Sequence, residues 1–453
     1  MSDLNPRSER LERLEGQLAR LTDVVEGLRG DVTGLANSSQ QSAANRNGHS
    51  PDRRPTPNPT PSNPSVAHGD PVAREGITED ECVQLFETFL ARCHDTIATF
   101  DAIPETLDAI RQEPILLAVV CAVGARAADP EGELHQRCLA EARSLTSSMA
   151  FGPPPSLLAL RAVMLICAWY RFDRLWGTAI TIAYEMGLHK DARRLTKEAG
   201  TMNRDEIERA RTWLSIVTYE LMANTSSRPY LVDNSQSHAE QARGLMRSPH
   251  SRPVDQRIMV YLELFEIIVN AKNTPIGELA DHQRELRLVS FNASLEGWFH
   301  RVHNSIDPLY QTFSQPQDRN RLDIPYAFAR LYINGRVLDA GIIHDGATAP
   351  EKLALRAVDL AVDSAFILLT TALDSQALAE SLHYTIDYSS MPLTTALSFL
   401  SRVVPLRHST GHMVDVDRIV ATLQRAREAF ERARAVSLAE WTQGLIGECV
   451  AAA

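Results

Sequence analysis

The side chains with the most obvious capacity for metal chemistry are Glu296, His300 and His303. They are spaced to share one face of a helix, and a carboxylate with two imidazoles is a ligand set that zinc accepts. Trp298 and Phe299 stand among them, and large apolar side chains in such positions are typical of an ordinary amphipathic helix. The pattern therefore predicts a packed helix, and we expect no catalytic, cofactor-binding or metal-ligating residue in this sequence.

The cysteines are too widely spaced for a zinc finger or ribbon, whose ligands come in pairs roughly two to four residues apart. The six are Cys82, Cys93, Cys121, Cys138, Cys167 and Cys449. Most have apolar neighbours, where a reduced thiol behaves as a small core residue. A disulfide framework is not expected either, because the chain is large and has no secretory signal.

Other signatures of catalysis and of nucleic-acid or membrane binding are missing from the sequence. It has no Gly-x-Ser-x-Gly nucleophile elbow, no His-Glu-x-x-His motif, no phosphate-binding loop and no dinucleotide fingerprint. The net charge of −11 opposes sequence-independent binding to nucleic acid, and the longest apolar run, Ile115 to Val123, is too short to cross a membrane. We therefore expect an intracellular protein that is not an enzyme and has no membrane partner.

Residues 1–35 predict a coiled coil that makes a homodimer or heterodimer. Leucine and valine recur at alternating spacings of three and four residues, at Leu11, Leu14, Leu18, Leu21, Val25, Leu28, Val32 and Leu35. An apolar seam this narrow is normally buried by another helix. Four glycines outside the seam each cost a helix about 1 kcal/mol relative to alanine, so the isolated coil should be marginal. The alternative is a single amphipathic helix that packs on its own domain.

Residues 36–75 predict a disordered linker. Between Asn37 and Pro71 the sequence has no aromatic residue, leucine or isoleucine, and it contains seven prolines. Such a segment cannot bury enough apolar surface to fold, and its prolines favour an extended chain that separates the coil from the C-terminal domain.

Residues 76–453 predict a large, irregular all-α domain. Thr78 and Glu81 have the spacing of a capping box at the start of the first helix. Apolar side chains recur at helical spacing in 113–127, 131–149, 155–171, 173–186, 204–225, 254–272, 323–340, 352–375, 376–404 and 415–446. Strand-like alternation and a repeat of fixed period are both missing.

Two stretches of this domain predict particular helix ends. Pro114–Ala125 is apolar on all sides and finishes in small residues, which predicts a buried helix with a close crossing at its end. The second stretch predicts a helix stop at Gly187 in the left-handed conformation. Leu188 would then fold back on the last turn, while His189 and Lys190 would face the negative end of the helix dipole.

A third stretch contains Arg211 and Trp213 and continues to Glu220 and then to Arg228-Pro229. The helix should end before Pro229, so that Arg228 could reach the last carbonyl groups or Glu220. This pattern predicts a buried arginine–carboxylate clasp between helices. An anion-binding pocket for a small effector is the alternative.

These three stretches, in this order, resemble the regulatory, or middle homology, domain of fungal zinc-cluster transcription factors. That family has a proline before a leucine-rich helix ending in Gly-Ala, a helix closing in Gly-Leu-His-Arg/Lys-Asp, and an Arg-x-Trp-Trp helix followed by Asp and then Gly-Arg-Pro. The resemblance covers residues 80 to about 235, with Leu214, Glu220 and Ser227 departing from the family's pattern. The matching or equivalent positions are Gly187, Leu188, His189, Asp191, Arg211, Trp213, Glu220, Arg228 and Pro229.

The resemblance implies a nuclear transcriptional regulator of metabolic or biosynthetic genes in a fungus, without a cofactor, whose partners are coregulator proteins and, as a further candidate, a small-molecule effector. Family members usually begin with a six-cysteine zinc cluster that binds DNA, and these 453 residues contain none. DNA contact is therefore expected only through a partner, or through a cluster encoded upstream and missing from this chain. The alternative is an all-helical small-molecule-binding or scaffold protein without a role in transcription.

Overall fold

The computed structural model describes most of the chain from residue 76 onward. The described ranges are 76–94, 106–149, 155–224, 229–234, 237–304, 316–342, 352–406 and 414–452. The predicted coiled coil (1–35) and the predicted linker (36–75) lie outside these ranges, so both stay predictions.

Within the described ranges the secondary structure is helical and includes no strand, which confirms the all-α fold. The α-helices are α1 (Glu79–Arg92), α2 (Leu107–Arg111), α3 (Pro114–Ala128), α4 (Glu133–Ser148), α5 (Leu157–Tyr170), α6 (Asp173–Glu185), α7 (Leu188–Glu198), α8 (Arg204–Ala223), α9 (His238–Met246), α10 (Pro253–Lys272), α11 (Asp281–Asn304), α12 (Pro316–Asp339), α13 (Lys352–Asp374), α14 (Gln376–Val403), α15 (Val416–Arg432) and α16 (Val436–Ala452). Short 3₁₀ helices occupy Ile276–Glu278 and Val404–Leu406.

Helices α3 and α5 form the centre of the core. Every side chain of α3 from Leu116 to Ala127 is buried, as are those of α5 from Ala159 to Trp169. The two helices pack on each other, and α14 crosses both, which joins the C-terminal helices to the first ones. Because burial of one large apolar side chain stabilises a fold by about 1.5–3 kcal/mol, these helices contribute strongly to stability. No helix of the described ranges has the length and apolarity that crossing a bilayer requires.

The close crossing predicted at the end of the Pro114–Ala125 stretch lies between α3 and α1. A Cβ atom on Gly124 would overlap the carbonyl oxygen of Leu85 and lie 3.0 Å from its carbonyl carbon. The two backbones therefore touch at this point, and only glycine leaves the space that the contact needs.

The capping box predicted at the start of α1 is confirmed. The backbone N–H of Thr78 donates to the Glu81 carboxylate at 2.7 Å, and the Glu81 N–H donates to the Thr78 hydroxyl at 3.2 Å. Asn203 and Glu206 form a second capping box at the start of α8. Each box satisfies two N–H groups that have no partner within the helix itself.

Several predicted boundaries were wrong. The segment predicted over 415–446 is two helices, because Arg434 adopts the left-handed conformation at φ 57°. The next residue, Ala435, donates its N–H to the carbonyl of Phe430 at 2.9 Å, which closes α15 in a Schellman-type turn. The helix predicted from 323 begins at Pro316, so that Pro325 lies inside α12.

Candidate functional site

Most of the predicted motif residues lie at the junction of α6 with α7 and on α8. Gly187 separates α6 from α7, Leu188 is the buried first residue of α7, and α8 carries Arg211, Trp213 and Glu220. We call the group Gly187, His189, Asp191, Arg211 and Trp213, with the side chains that bind them, the motif cluster. The predicted dimerisation residues Leu11, Leu14, Leu18, Leu21, Val25, Leu28, Val32 and Leu35, and also Arg228, lie outside the described residues.

Gly187 has the left-handed conformation that the sequence predicts, with φ 75° and ψ 18°. Its N–H donates to the carbonyl of Tyr184 at 3.0 Å and so ends α6. A Cβ atom here would have open space around it, with its nearest neighbours at 3.8 and 3.9 Å. The glycine is therefore needed for its backbone conformation and not for a close contact.

The segment after Gly187 differs from the prediction. Leu188 does not fold back as an end cap but begins α7, so His189 and Lys190 lie in the first turn of a new helix. They therefore face the positive end of the α7 dipole and not only the negative end of α6. Helix α7 buries Leu188, Ala192 and Leu195 along one face, and its remaining residues are mostly charged or polar.

Arg209 of α8 holds the α6–α7 corner together. Its Nη2 donates to the carbonyl of Met186 at 2.6 Å, and its Nε donates to Asp191 at 2.7 Å. The guanidinium group thus satisfies a carbonyl at the end of α6 while it pairs with a carboxylate of α7. Asp191 is therefore a positioning residue for the corner.

His189 belongs to an aromatic group with Tyr184 and Trp213. Its ring centroid lies 4.9 Å from that of Tyr184 and 5.7 Å from that of Trp213, and the Tyr184 and Trp213 rings meet edge to face. Burial lowers the pKa of His189, and the cations of Arg193 and Lys190 lower it further. Its Nδ1 is buried and has no hydrogen-bond partner among the described residues. His189 therefore acts as a neutral packing residue.

A buried arginine–carboxylate clasp joins α8 to α10, with Arg211 as its cation, whereas Arg228, the arginine predicted to reach Glu220, lies outside the described residues. Both nitrogens of one edge bind Asp255 of α10, at 2.6 and 2.8 Å, and both side chains have no exposed surface. The same guanidinium donates to Glu208 at 2.7 Å and to the carbonyl of His250 at 2.8 Å. Burial acts to lower the pKa of Arg211, but the hydrogen bonds and negative charges of Asp255 and Glu208 together outweigh it and raise the pKa. The arginine is therefore a charged cross-link between α8 and α10.

Glu208 extends this clasp to a third helix. It binds Arg161 of α5 at 2.8 Å and Arg252 at 2.5 Å. Burial acts to raise the pKa of Glu208, but Arg211 and Arg161 outweigh it, so the pKa is lowered. Arg161 also donates to the hydroxyl of Thr212 at 3.0 Å. The network of three arginines and two carboxylates thus ties α5, α8 and α10 together.

Glu220 is buried, but its carboxylate is not part of the arginine clasp. Its two oxygens accept hydrogen bonds from the indole N–H of Trp176 and from the backbone N–H of Leu231, each at 2.8 Å. The carboxylate therefore connects α6 to the segment after α8. Pro229 is exposed in that segment and does not belong to the motif cluster.

The clasp partner Asp255 is a structural position that the sequence patterns did not single out, and those patterns gave Arg209 no partner at the α6–α7 corner. Asp255 lies in the first turn of α10, where its carboxylate also accepts the N–H of Arg252 at 2.7 Å. An acidic residue two positions after Pro253 is a signal for a helix start. The position of Asp255 in the sequence carries no signal for a partner on another helix.

The residues considered for zinc form no metal site. Glu296 and His300 are exposed on α11, whereas His303 stacks on Phe299 and lies 3.2 Å from Asp323. Trp298 is fully buried, as expected for the packed face of an amphipathic helix. The described residues include no group of three or more side chains arranged to hold a metal ion.

Buried histidines predict a pH dependence of stability. Burial lowers the pKa of His238, whose Nε2–H donates to the carbonyl of Asp233 at 2.9 Å, and burial also lowers those of His135 and His189. Near and below the usual histidine pKa, these histidines bind protons more readily in the unfolded chain than in the folded chain. The free energy of unfolding should therefore fall as the pH drops from 7.5 to 5.5. Each histidine contributes at most about 1.4 kcal/mol at pH 5.5. Urea unfolding at several pH values measures the change in the free energy of unfolding.

In that measurement, His238→Gln should make the loss of stability between pH 7.5 and 5.5 smaller than in the unmodified chain. The exposed His282→Gln variant controls for the removal of a histidine as such. A pH dependence that is identical in His238→Gln and the unmodified chain would contradict the prediction.

The fold and the motif cluster define an all-α domain whose motif residues bind side chains of neighbouring helices and so hold the helices together. Residues 87–240, from within α1 to the first turn of α9, match the family model of the fungal specific transcription factor domain, and this part of the chain is such a domain. The resemblance predicted from the three stretches is thereby confirmed. The domain indicates a role in transcriptional regulation, and hence in the nucleus; it belongs to transcription factors, which are not enzymes. Neither a curated protein nor a solved structure matches the chain.

Proposed function

We propose that this protein is a dimeric regulator of metabolic or biosynthetic genes in a fungus. The observation that supports the proposal is the fungal specific transcription factor domain at residues 87–240, which contains Gly187, His189, Asp191, Arg211 and Trp213 of the motif cluster. The seam of leucine and valine in residues 1–35 supports dimerisation, either with a second copy or with a related chain.

In this proposal the helical domain controls activity by packing against coregulator proteins or other subunits, or by binding a small effector. The motif cluster supplies rigidity, since its buried and partly buried ion pairs link α5, α7, α8 and α10. The net charge of −11 does not favour binding of DNA through the charge of this chain. DNA contact therefore comes from a partner, or from a zinc cluster encoded upstream of these residues.

Chromatin immunoprecipitation with an epitope-tagged full chain tests the transcriptional role. We expect enrichment of promoter regions, together with a nuclear signal of the tagged chain in fluorescence microscopy. A helical scaffold or small-molecule-binding protein without a role in transcription would give no promoter enrichment, and that result would overturn the proposal.

Dimerisation is tested by the double substitution Leu14→Pro and Leu21→Pro. Proline inside a helix costs about 3 kcal/mol, so two prolines in the seam should abolish the coiled coil and halve the mass measured by sedimentation equilibrium. Ser39→Pro, in the predicted linker, is the matched control and should leave the mass of the dimer unchanged. A mass that the two seam prolines do not alter would refute dimerisation through residues 1–35.

A further inference from the structure

Three buried cysteines lie near the start of the helical domain, and two of them line a cavity. Cys82 belongs to α1, Cys121 to α3 and Cys138 to α4, and all three are reduced thiols with almost no exposed surface. The cavity has a volume of about 370 Å³, and Cys121 and Cys138 are part of its lining. A water molecule occupies about 30 Å³ in the liquid, so a small polar oxidant fits easily.

The crossing of α1 and α3 places Cys82 against Cys121. The helices touch where Leu85 meets Gly124. Cys82 precedes Leu85 by three residues, and Cys121 precedes Gly124 by three residues. Three residues are nearly one helical turn, so both cysteines stay on the contact face. The two helices run in the same direction through this crossing, because Arg92, beyond Leu85 on α1, donates to the carbonyl of Ala127, beyond Gly124 on α3, at 2.9 Å. Cys82 and Cys121 therefore lie on the same side of the crossing. A disulfide bond requires two Cβ atoms about 3.5–4.5 Å apart, and a crossing with touching backbones is the helix geometry that allows this.

The environment distinguishes Cys82 from the other thiols. The Nη2 atom of Arg111 lies 3.8 Å from the Cys82 sulfur. The hydrogen bond from Cys121 lowers the pKa of Cys82 against the effect of burial, and the Arg111 cation lowers it further. Burial instead raises the pKa of Cys93 and of Cys138 to about 12. Since the thiolate is the reactive form, Cys82 is the thiol of this group that is prepared to react.

We propose that Cys82 and Cys121 form a redox-sensitive pair, which a hydroperoxide that reaches the cavity converts into a disulfide between α1 and α3. With hydrogen peroxide, the Cys82 thiolate attacks one oxygen, the O–O bond breaks, and the products are a sulfenic acid and, after proton uptake, one water. The Cys121 thiol then attacks the sulfenic sulfur, the S–S bond forms and a second water leaves. Two thiols lose two electrons and two protons, and the peroxide is reduced to two waters.

The disulfide would fix the first helix of the transcription factor domain. The matched range begins at residue 87, within α1, and α3 is part of the central core. Oxidation would therefore attach α1 covalently to the core, whereas noncovalent contacts hold it in the reduced protein, among them the hydrogen bond from Arg92 to the carbonyl of Ala127. This modification site goes beyond the proposed function and does not depend on it.

Peptide mapping of the full chain tests the pair. The reduced protein is treated with hydrogen peroxide, remaining thiols are alkylated, and the digest is analysed by mass spectrometry without reductant. We expect a linked peptide that contains Cys82 and Cys121, the loss of two alkylated cysteines, and full recovery with dithiothreitol. Linkage of Cys82 to Cys138, or equal oxidation of all six cysteines, would overturn the proposal, as would the absence of any linked peptide.

Two variants test the assigned roles, and one serves as a control. Cys121→Ser should lose the linked peptide and leave Cys82 as a sulfenic acid that dimedone traps. Arg111→Met should still form the linked peptide, but at least about threefold more slowly, because the thiolate loses its neighbouring cation. Cys449→Ser, at a buried thiol on α16, should react like the unmodified chain. If Cys121→Ser fails to fold, the mapping of the unmodified protein still decides the proposal.

Discussion

Replacing Asp255 with alanine should lower the free energy of unfolding by about 3–5 kcal/mol, because it leaves a buried guanidinium without its main carboxylate. Arg211 and Asp255 have no exposed surface and share two hydrogen bonds of 2.6 and 2.8 Å. Glu208 remains as a second partner of Arg211, so the loss should fall at the lower end of this range. Urea unfolding followed by circular dichroism measures it.

Asp374→Ala is the matched control, because it also removes the carboxylate of an arginine pair. Asp374 binds Arg425 at 2.5 Å, but both side chains are at least half exposed. An exposed pair contributes at most about 1 kcal/mol, since water and salt already screen both charges. Equal losses for Asp255→Ala and Asp374→Ala would show that burial does not set the strength of the clasp.

The double substitution Arg211→Met and Asp255→Leu should recover a large part of the stability that Asp255→Ala loses. Removing both charges avoids leaving either one unpaired in the core, and apolar replacement of a buried ion pair is often close to neutral. Recovery would identify the uncompensated charge of Arg211 as the cause of the loss. A double variant less stable than Asp255→Ala would attribute the loss to packing.

Local sequence patterns were sufficient to predict the central helices. The apolar run of α3 and the capping residues Thr78 and Glu81 act within one helix, so neighbouring residues are enough to identify them. Helix α7 was missed because only Leu188, Ala192 and Leu195 mark its buried face, and they come directly after a glycine that ends the preceding helix. A glycine that ends one helix can be followed directly by another helix.

The motif cluster shows why the partners of a site are harder to predict than its members. Arg211 and Glu220 are on the same helix, but at about 100° per residue their spacing of nine puts them on opposite sides. Arg211 faces α10 and binds Asp255, which is 44 residues away in the sequence. Glu220 faces α6 and binds Trp176. Such pairings depend on how helices pack, and a single sequence carries no direct signal for them.

Substitution of Gly124 by alanine should destabilise the domain more than any other single added methyl group on α3. Overpacking usually costs about 1–3 kcal/mol, and this site should reach the upper limit because the atom in the way is the backbone oxygen of Leu85. A backbone carbonyl cannot rotate aside as a side chain can, so α1 would have to move away from α3. The free energy of unfolding from urea titration, measured by circular dichroism, tests this expectation.

Gly444→Ala on α16 is the control that separates the crossing from the general preference of helices for alanine. Gly444 is exposed within a helix, and a Cβ atom there would have no neighbour within 4 Å. Alanine should therefore stabilise the protein at this position, by about 0.5–1 kcal/mol. Opposite signs for the two substitutions would locate the cost at the contact between Leu85 and Gly124. A stabilising Gly124→Ala would mean that α1 can move away from α3 at little cost, so that this crossing does not hold the first helix of the transcription factor domain in place.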